Sequence, residues 1–173
     1  MEFQEKNVLV FGSGKSGIAA AELLEKQNAN IFVFEGNEKQ SVAEIKEKSE
    51  SFAKAEIYVG TLPEEVMDKL DFVVLSPGVP TDLPLVNAMR DKKIMIIGEI
   101  ELAYQVAKGK ILAITGTNGK TTTTTLVGEI LSNYFKDVKV VGNIGIPYTS
   151  VAADTTEETV TAAEISSFQL ETI

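Results

Sequence analysis

Twice in this chain a short apolar, β-prone run ends in a glycine loop that opens directly into a helical pattern. Val8-Leu9-Val10-Phe11 runs into Gly12-Ser13-Gly14-Lys15-Ser16-Gly17, and residues 110–115 run into Gly116-Thr117-Asn118-Gly119-Lys120. Strand, glycine loop and helix in that order are the opening of a parallel βαβ unit, because a strand can meet a parallel neighbour only through a crossover. The intervening pattern agrees. Runs at Asn7–Phe11, Asn30–Glu35, Glu56–Val59, Phe72–Leu75 and 94–97 read as strands. Amphipathic segments at 16–27, 42–50, 63–69 and 83–91 read as the helices between them, the last with Asp82 as N-cap and Pro84 in its first turn. A second unit starts near Gly98, with a helix over Glu99–Val106, a turn at Lys108-Gly109, the strand and second glycine loop, and a helix from 120 to about 133. Strands at 138–141 and 159–164 follow, and Ser166 to Glu171 begins a further helix. The expected fold is α/β: a Rossmann-like open parallel sheet over residues 1–98, then an incomplete P-loop-type unit over 99–173. A P-loop sheet normally has more strands than this second unit accommodates, so the sequence reads as a piece of something longer.

Composition narrows the chemistry. With no Cys and no His, thiolate nucleophiles, imidazole bases and the usual zinc sites are absent, leaving carboxylates, lysines, hydroxyls and backbone amides. Sixteen basic against 25 acidic residues give a net charge of −9, which opposes binding to nucleic acid or to anionic membranes. No apolar run approaches the roughly 20 residues of a bilayer span, and residues 1–6 lack the basic start of a secretory signal. The expectation is a soluble, cytoplasmic protein.

In the first loop the pattern is G-x-G-x-x-G. Glycines permit a tight turn and close approach of a diphosphate, which the N–H groups of the helix N-terminus then meet. Glu35 ends the next strand, where a carboxylate can bind a ribose hydroxyl or a base edge. The competing reading is that the glycines merely let helix and strand pack closely and that Glu35 is a solvated strand end. Ser76-Pro77-Gly78-Val79-Pro80 follows the fourth strand at the carboxyl edge of the sheet; read alone, it is a tight turn.

The second loop carries more information. Gly-Lys-Thr at the mouth of a helix is built for a nucleoside triphosphate: loop amides cradle phosphate oxygens, Lys120 reaches the β- and γ-phosphates, and the Thr121 hydroxyl can bind Mg²⁺. Ile114 stands where the strict P-loop pattern has its first glycine, with Gly116 available to supply that flexibility. Five threonines from 121 to 125 open the helix against propensity, favoured there by local hydrogen bonds or ligands. Glu164, at the carboxyl end of its run, is either a metal-binding carboxylate on the same sheet edge or an acid that helps cap Ser166-Ser167. Asn143 either faces that site or is a turn asparagine.

Taken together, Gly116-Thr117-Asn118-Gly119-Lys120-Thr121-Thr122, Gly142-Asn143-Ile144-Gly145 and Glu164-Ile165-Ser166-Ser167-Phe168-Gln169-Leu170-Glu171 resemble the ATP-dependent Mur ligases of peptidoglycan synthesis. Ser-Ser-Phe-Gln-Leu, with Gly12 to Gly17 and Ser76-Pro77-Gly78, is similar to the members that add D-glutamate to UDP-N-acetylmuramoyl-L-alanine. The resemblance implies ATP and Mg²⁺, an acyl phosphate made from the L-alanyl carboxylate, and attack on it by the D-glutamate amine. It implies ATP contacts at Gly116, Thr117, Asn118, Gly119, Lys120, Thr121 and Thr122, and metal ligation by Thr121 and Glu164. Lys120 and Glu164 would then be catalytic. Substrate contacts are implied at Ser13, Gly14, Lys15, Ser16, Glu35, Gly36, Asn37, Ser76, Pro77, Gly78, Asn143 and Ser166. Glu35-Gly36-Asn37 departs from the Asp and nearby Arg that related enzymes often place after the second strand. The family also uses a His, a carbamylated lysine and a C-terminal D-glutamate domain, so these 173 residues alone are expected to show no D-glutamate-dependent ADP release. Two other readings remain: a nicotinamide-dependent oxidoreductase built on the first loop, and a non-catalytic nucleotide-binding module.

Overall fold

A computed structural model describes residues 2–143 and 145–173. Ile144, inside the glycine-asparagine motif, and Met1 lie outside the described residues. Five strands, β1 (Asn7–Phe11), β2 (Asn30–Glu35), β3 (Glu56–Val59), β4 (Phe72–Leu75) and β5 (Met95–Gly98), form a parallel sheet in the order β3-β2-β1-β4-β5. Helices α1 (Lys15–Lys26), α2 (Val42–Lys46), α3 (Glu50–Lys54), α4 (Glu64–Met67) and α5 (Pro84–Asp91) cross between them. Alternation along buried parallel strands divides the core in two. Val8, Val10, Phe72 and Val74 face α1 and α3, whereas Leu9, Phe11, Val73 and Leu75 face α4 and α5.

The chain reverses its direction of growth between β1 and β4, and open α/β sheets bind ligands at the carboxyl side of that point. The loops after β1 and β4 meet there: Ser76 N–H donates to the Phe11 carbonyl at 3.0 Å. Beneath them the in-register Phe11 and Phe34 rings stack edge to face, 4.7 Å between centroids, a rigid floor for the first glycine loop.

Helix α6 (Glu99–Val106) leads from β5 to a second parallel sheet of β6 (Lys110–Ile114), β7 (Val138–Gly142) and β8 (Val160–Glu164), ordered β6-β8-β7. Central β8 is buried at all five residues. Helix α7 (Lys120–Ser132) approaches this sheet closely at Gly128, where a Cβ would stand 2.4 Å from Val140 Cγ2. Two 3-10 turns, Tyr148–Ser150 and Ala152–Asp154, pack on α1 and α6, and α8 (Ser167–Leu170) follows β8. Tyr148, Ala152, Val141 and Ala163 join the same cluster as Val8 and Val10, so one apolar core runs through both units. Among the described residues no helix is long and apolar enough to cross a membrane.

Three local expectations are corrected. The helix expected over 42–50 is two, because Ser49 caps a new start by accepting from Phe52 N–H at 3.1 Å. Asp82 does not cap α5; Leu83 holds that position without a side-chain bond, and the Asp82 carbonyl accepts from Asn87 Nδ2. The fifth strand starts at Met95, because Ile94 N–H still closes the end of α5 on the Met89 carbonyl and Lys93 turns through a φ of 61°.

Candidate functional site

The three glycines of the first loop have different tasks. Gly12, at φ 109°, ties the loop to β2 by donating to the Phe34 carbonyl at 2.8 Å, and a Cβ on it would meet Ser76 Oγ at 2.8 Å. A Cβ on Gly17 would stand 2.0 Å from the Gly12 carbonyl oxygen. Gly14 faces open space, with nothing within 4 Å of a Cβ. Two glycines therefore serve packing, while the third keeps the outer face of the loop bare. Gly14 also starts α1 with no capping side chain and no acid in the first turn, leaving the helix N–H groups for an anion. Lys15 is exposed and Ser16 half-buried in that turn.

Glu35 is engaged within the chain. Its Oε2 accepts from Ser13 N–H at 3.1 Å and Ser13 Oγ at 2.6 Å, and its Oε1 from Asn37 N–H at 2.9 Å. Burial alone would raise the carboxyl; the Ser13 and Asn37 bonds and the Lys48 charge outweigh it and hold it below the ordinary glutamate range. Gly36 and Asn37 lie exposed beside it. Lys48 Nζ donates to the Ser13 carbonyl at 3.1 Å and to its hydroxyl at 2.8 Å, and also reaches Gln40 Oε1. Lys48 and Gln40 were not foreseen from the sequence. A lysine between two short helices carries no motif, and its partner lies 35 positions away. Because the folded pKa of Glu35 is depressed, its contribution is present above the unfolded glutamate pKa and lost as pH falls through the folded value. The stability difference between parent and Glu35→Gln, measured by urea melts, should therefore be constant above about pH 5 and shrink steadily below it.

Ser76-Pro77-Gly78 is a turn, as read: Val79 N–H donates to the Ser76 carbonyl at 2.9 Å. It also lines a cavity of about 580 Å³, bounded opposite by Phe168 and Gln169 of α8 and by Gly98 and Glu99. Ser76 Oγ is buried with no hydrogen-bond partner among the described residues, and Gly78 faces open space.

At the second sheet the register places three chain exits abreast. Ile114 pairs with Glu164 and Gly142 pairs with Glu164, all in parallel. The second glycine loop, Asn143 and Glu164 thus leave from one edge. Gly119 begins α7 in the left-handed region at φ 76°, with no capping side chain and no acid in the first turn, like the start of α1. Lys120 Nζ folds back to donate to the Gly116 carbonyl at 2.7 Å. Thr117, Asn118, Thr121 and Thr122 are exposed; Thr124 is buried and donates to the Lys120 carbonyl at 2.8 Å.

Glu164 is 2% exposed. Its Oε1 has only a long contact, 3.5 Å, from Asn143 Nδ2, and its Oε2 is buried with no partner among the described residues. Asn143 N–H donates to the Glu164 carbonyl at 2.9 Å. Glu164 does not cap α8. Ser166 does, accepting from Gln169 N–H at 3.3 Å while Gln169 Oε1 accepts from Ser166 N–H at 2.9 Å. A buried carboxylate oxygen without a partner is costly unless something else satisfies it, and a hard divalent cation fits it. No cluster of three or more His, Cys, Asp or Glu that could hold a metal occurs among the described residues, so such a cation would take further ligands from hydroxyls, phosphate and water.

Each sheet thus carries one uncapped helix start behind a glycine loop, with a cavity beside the first and, at the edge of the second, a carboxylate oxygen that has no partner among the described residues. Residues 6–98 match the family profile "Mur ligase MurD-like, N-terminal domain", and residues 114–172 match "Mur ligase middle domain". The chain belongs to the Mur ligase family. Among its Mur ligase relatives, the UDP-N-acetylmuramoylalanine--D-glutamate ligase of Lachnoclostridium phytofermentans is 56% identical over 173 residues, and that of Lachnospira eligens 50%. That of Alkaliphilus metalliredigens is 47% identical over 177 residues. All of this chain is covered in each case, and it spans 38% of the length of these relatives. The UDP-N-acetylmuramate:L-alanyl-gamma-D-glutamyl-meso-diaminopimelate ligase from Neisseria meningitides shares the fold, with a TM-score of 0.55 at 15% identity, covering 92% of this chain and 52% of that one.

Proposed function

We propose that this Mur ligase chain supplies the sugar-nucleotide cradle and the ATP cradle of an enzyme that joins D-glutamate to UDP-N-acetylmuramoyl-L-alanine in the cytoplasm. The observation that carries this reading is the paired start of α1 and α7: each begins at a glycine, uncapped and free of acids in its first turn. Short α2, α3 and α8 are each closed by a serine; α4, α5 and α6 also lack a capping side chain, but α4 and α6 carry acids in the first turn and α5 starts from Leu83 rather than a glycine. An uncapped helix start behind a glycine loop is an anion site, and two of them suit a reaction that brings together two polyphosphates. Identities of 56% and 50% over the whole of this chain and the names of those relatives support the D-glutamate reaction for the enzyme as a whole.

On this reading the first loop, through Gly14, Lys15 and Ser16, receives the uridine diphosphate, with Ser13, Glu35, Gly36 and Asn37 at the nucleoside end. Ser76, Pro77 and Gly78 line the cavity that takes the sugar, with Asn143 and Ser166 nearer the alanyl end. Gly116, Thr117, Asn118, Gly119, Thr121 and Thr122 surround the triphosphate, and Lys120 neutralises the phosphoryl group that moves to the alanyl carboxylate. Thr121 and Glu164 would hold Mg²⁺, which when bound offsets charge on the β- and γ-phosphates. Holding carboxylate and γ-phosphate in line is then most of what the protein contributes.

Calorimetric titration of the chain tests this. Saturable binding of UDP-N-acetylmuramoyl-L-alanine and of Mg-ATP, with no binding of NADH, is expected; micromolar NADH binding with no response to UDP compounds would replace the proposal with the oxidoreductase reading. A sharper test is Gly14→Ala. The new methyl meets nothing in the protein, so thermal stability should be unchanged. It occupies the bare face offered to the diphosphate, so UDP affinity should fall about tenfold, equivalent to the loss of about 1.4 kcal/mol.

A further inference from the structure

Glu99 is a buried carboxylate outside both glycine loops, at the edge of the cavity that Ser76 to Gly78 also line. It is the first residue of α6, the helix joining the two sheets, and is 2% exposed. Its Oε1 accepts from Gln169 Nε2 at 2.9 Å and its Oε2 from Thr149 Oγ1 at 3.3 Å. Both partners are buried as well. Burial pushes the Glu99 carboxyl up, and the bonds from Gln169 and Thr149 offset this only in part. An apolar side chain at this junction would avoid that desolvation cost, so the acceptors must matter for what they hold.

What they hold is both loops that leave the ATP edge. Thr149 sits in the 3-10 turn after β7, downstream of Asn143. Gln169 belongs to α8, directly after Glu164 and β8. The Gln169 side chain is used at both ends, since its Oε1 accepts from Ser166 N–H while its Nε2 donates to Glu99. Next to it Gly98 N–H donates to the Thr172 carbonyl at 2.7 Å, and a Cβ on Gly98 would strike Thr172 Oγ1 at 2.3 Å. The segment from Phe168 to Thr172 is thereby drawn against the start of α6, where it forms the wall of the 580 Å³ cavity that faces Ser76 to Asp82.

We propose that Glu99 is a positioning residue: its two carboxylate oxygens hold the loops after β7 and β8 against the first unit and so set the α8 wall of the cavity. The ligand of that cavity is taken from the functional reading above; the holding itself does not depend on it. Glu99 acts on the cavity in this way through Thr149 and Gln169 rather than through either glycine loop.

Two substitutions separate the acceptors from mere bulk. In Glu99→Gln the amide oxygen still accepts from Gln169, and the amide NH₂ faces the Thr149 hydroxyl, which can rotate to accept. Glu99→Leu keeps apolar volume but removes both acceptors and leaves Gln169 Nε2 unpaired. Amide hydrogen exchange on the chain without ligand is the first readout. Glu99→Leu should speed exchange of Gly98 and residues 166–172 by roughly tenfold or more, with β1 and α1 unchanged, and Glu99→Gln should restore the parent pattern. Unchanged exchange in the Leu variant, equal loosening in both variants, or uniform acceleration including β1 would each overturn the proposal. Should Glu99→Leu not fold, Thr149→Val, which removes one donor at similar volume, must loosen the same segment, and its failure to do so is equally decisive. The second readout is titration: Glu99→Leu should weaken UDP-N-acetylmuramoyl-L-alanine roughly tenfold while changing UDP less than about threefold. A parent chain that does not bind the sugar nucleotide defeats the functional reading, and the exchange pattern then decides on Glu99 by itself.

Discussion

Replacing Lys120 with methionine is expected to weaken Mg-ATP binding roughly 10- to 150-fold, to leave UDP binding unchanged, and to shift the melting temperature by less than about 2 °C. Methionine keeps most of the side chain's length and apolar stem, so the comparison isolates the ammonium group. In the folded chain the Nζ of Lys120 donates to the Gly116 carbonyl across an exposed loop. Water can replace that bond at little cost. Against a triphosphate the same group makes charge-assisted hydrogen bonds, each worth about 1.5–3 kcal/mol, which spans the stated range at 1.4 kcal/mol per decade. The proposed uridine site lies on the other sheet, and effects at separated sites add independently. Calorimetry with Mg-ATP and with UDP on one protein preparation checks both halves of the expectation. Unchanged ATP affinity would reduce the second glycine loop to a flexible turn with an exposed lysine, and the ligase reading would lose its energy donor.

The strand and helix around the second glycine loop were legible because glycine, glycine, lysine and threonine between an apolar run and a helical pattern make a local signature, and β6 and α7 lie on either side of it. For the same reason β1, β2, β3 and β4 fall at the bounds their apolar runs imply, since strands buried on both faces read as continuous β-prone runs. The signal fails wherever distant parts of the chain decide. Val42, Ala43 and Ile45 announce a helix, but its break at Ser49 leaves Lys48 at the junction of two short helices, bonded to Ser13, 35 positions earlier. Glu35 read as a strand-end carboxylate for a ribose hydroxyl or a base edge, or else as a solvated one; its bonds from Ser13 and Asn37 are contacts that no local pattern announces. Glu99 entered the sequence reading only as the start of a helix; the bond it accepts from Gln169 comes from 70 positions later in the chain. Ser76-Pro77-Gly78 read as a turn and is one, but its place beside a cavity follows from the strand order, which no local pattern contains.

Gly17→Ala should be the most damaging single-methyl change in the first unit, lowering stability by on the order of 3 kcal/mol and the melting temperature by about 6–12 °C. The reason is the closeness of a fixed partner. A Cβ at position 17 would stand 2.0 Å from the carbonyl oxygen of Gly12 and 3.0 Å from its carbon, and a main-chain carbonyl cannot swing aside as a side chain can. Gly12 is itself pinned, donating to the Phe34 carbonyl at 2.8 Å and abutting Ser76, so relief would require α1 to lift from the sheet. Ala20, Ala21, Leu23 and Leu24 of that helix are buried in the core shared by both units, which makes the displacement expensive. On the proposed function binding should suffer as well, because lifting α1 moves the N–H groups assigned there to the diphosphate. The contrast with Gly14→Ala then becomes diagnostic: position 14 loses UDP affinity at constant stability, and position 17 loses both together. Denaturant melts of the two variants beside their UDP titrations measure the contrast. A Gly17→Ala protein as stable as its parent would mean that α1 sits farther from the β1 loop than the 2.0 Å clash requires, and the geometry of the first cradle would have to be redrawn.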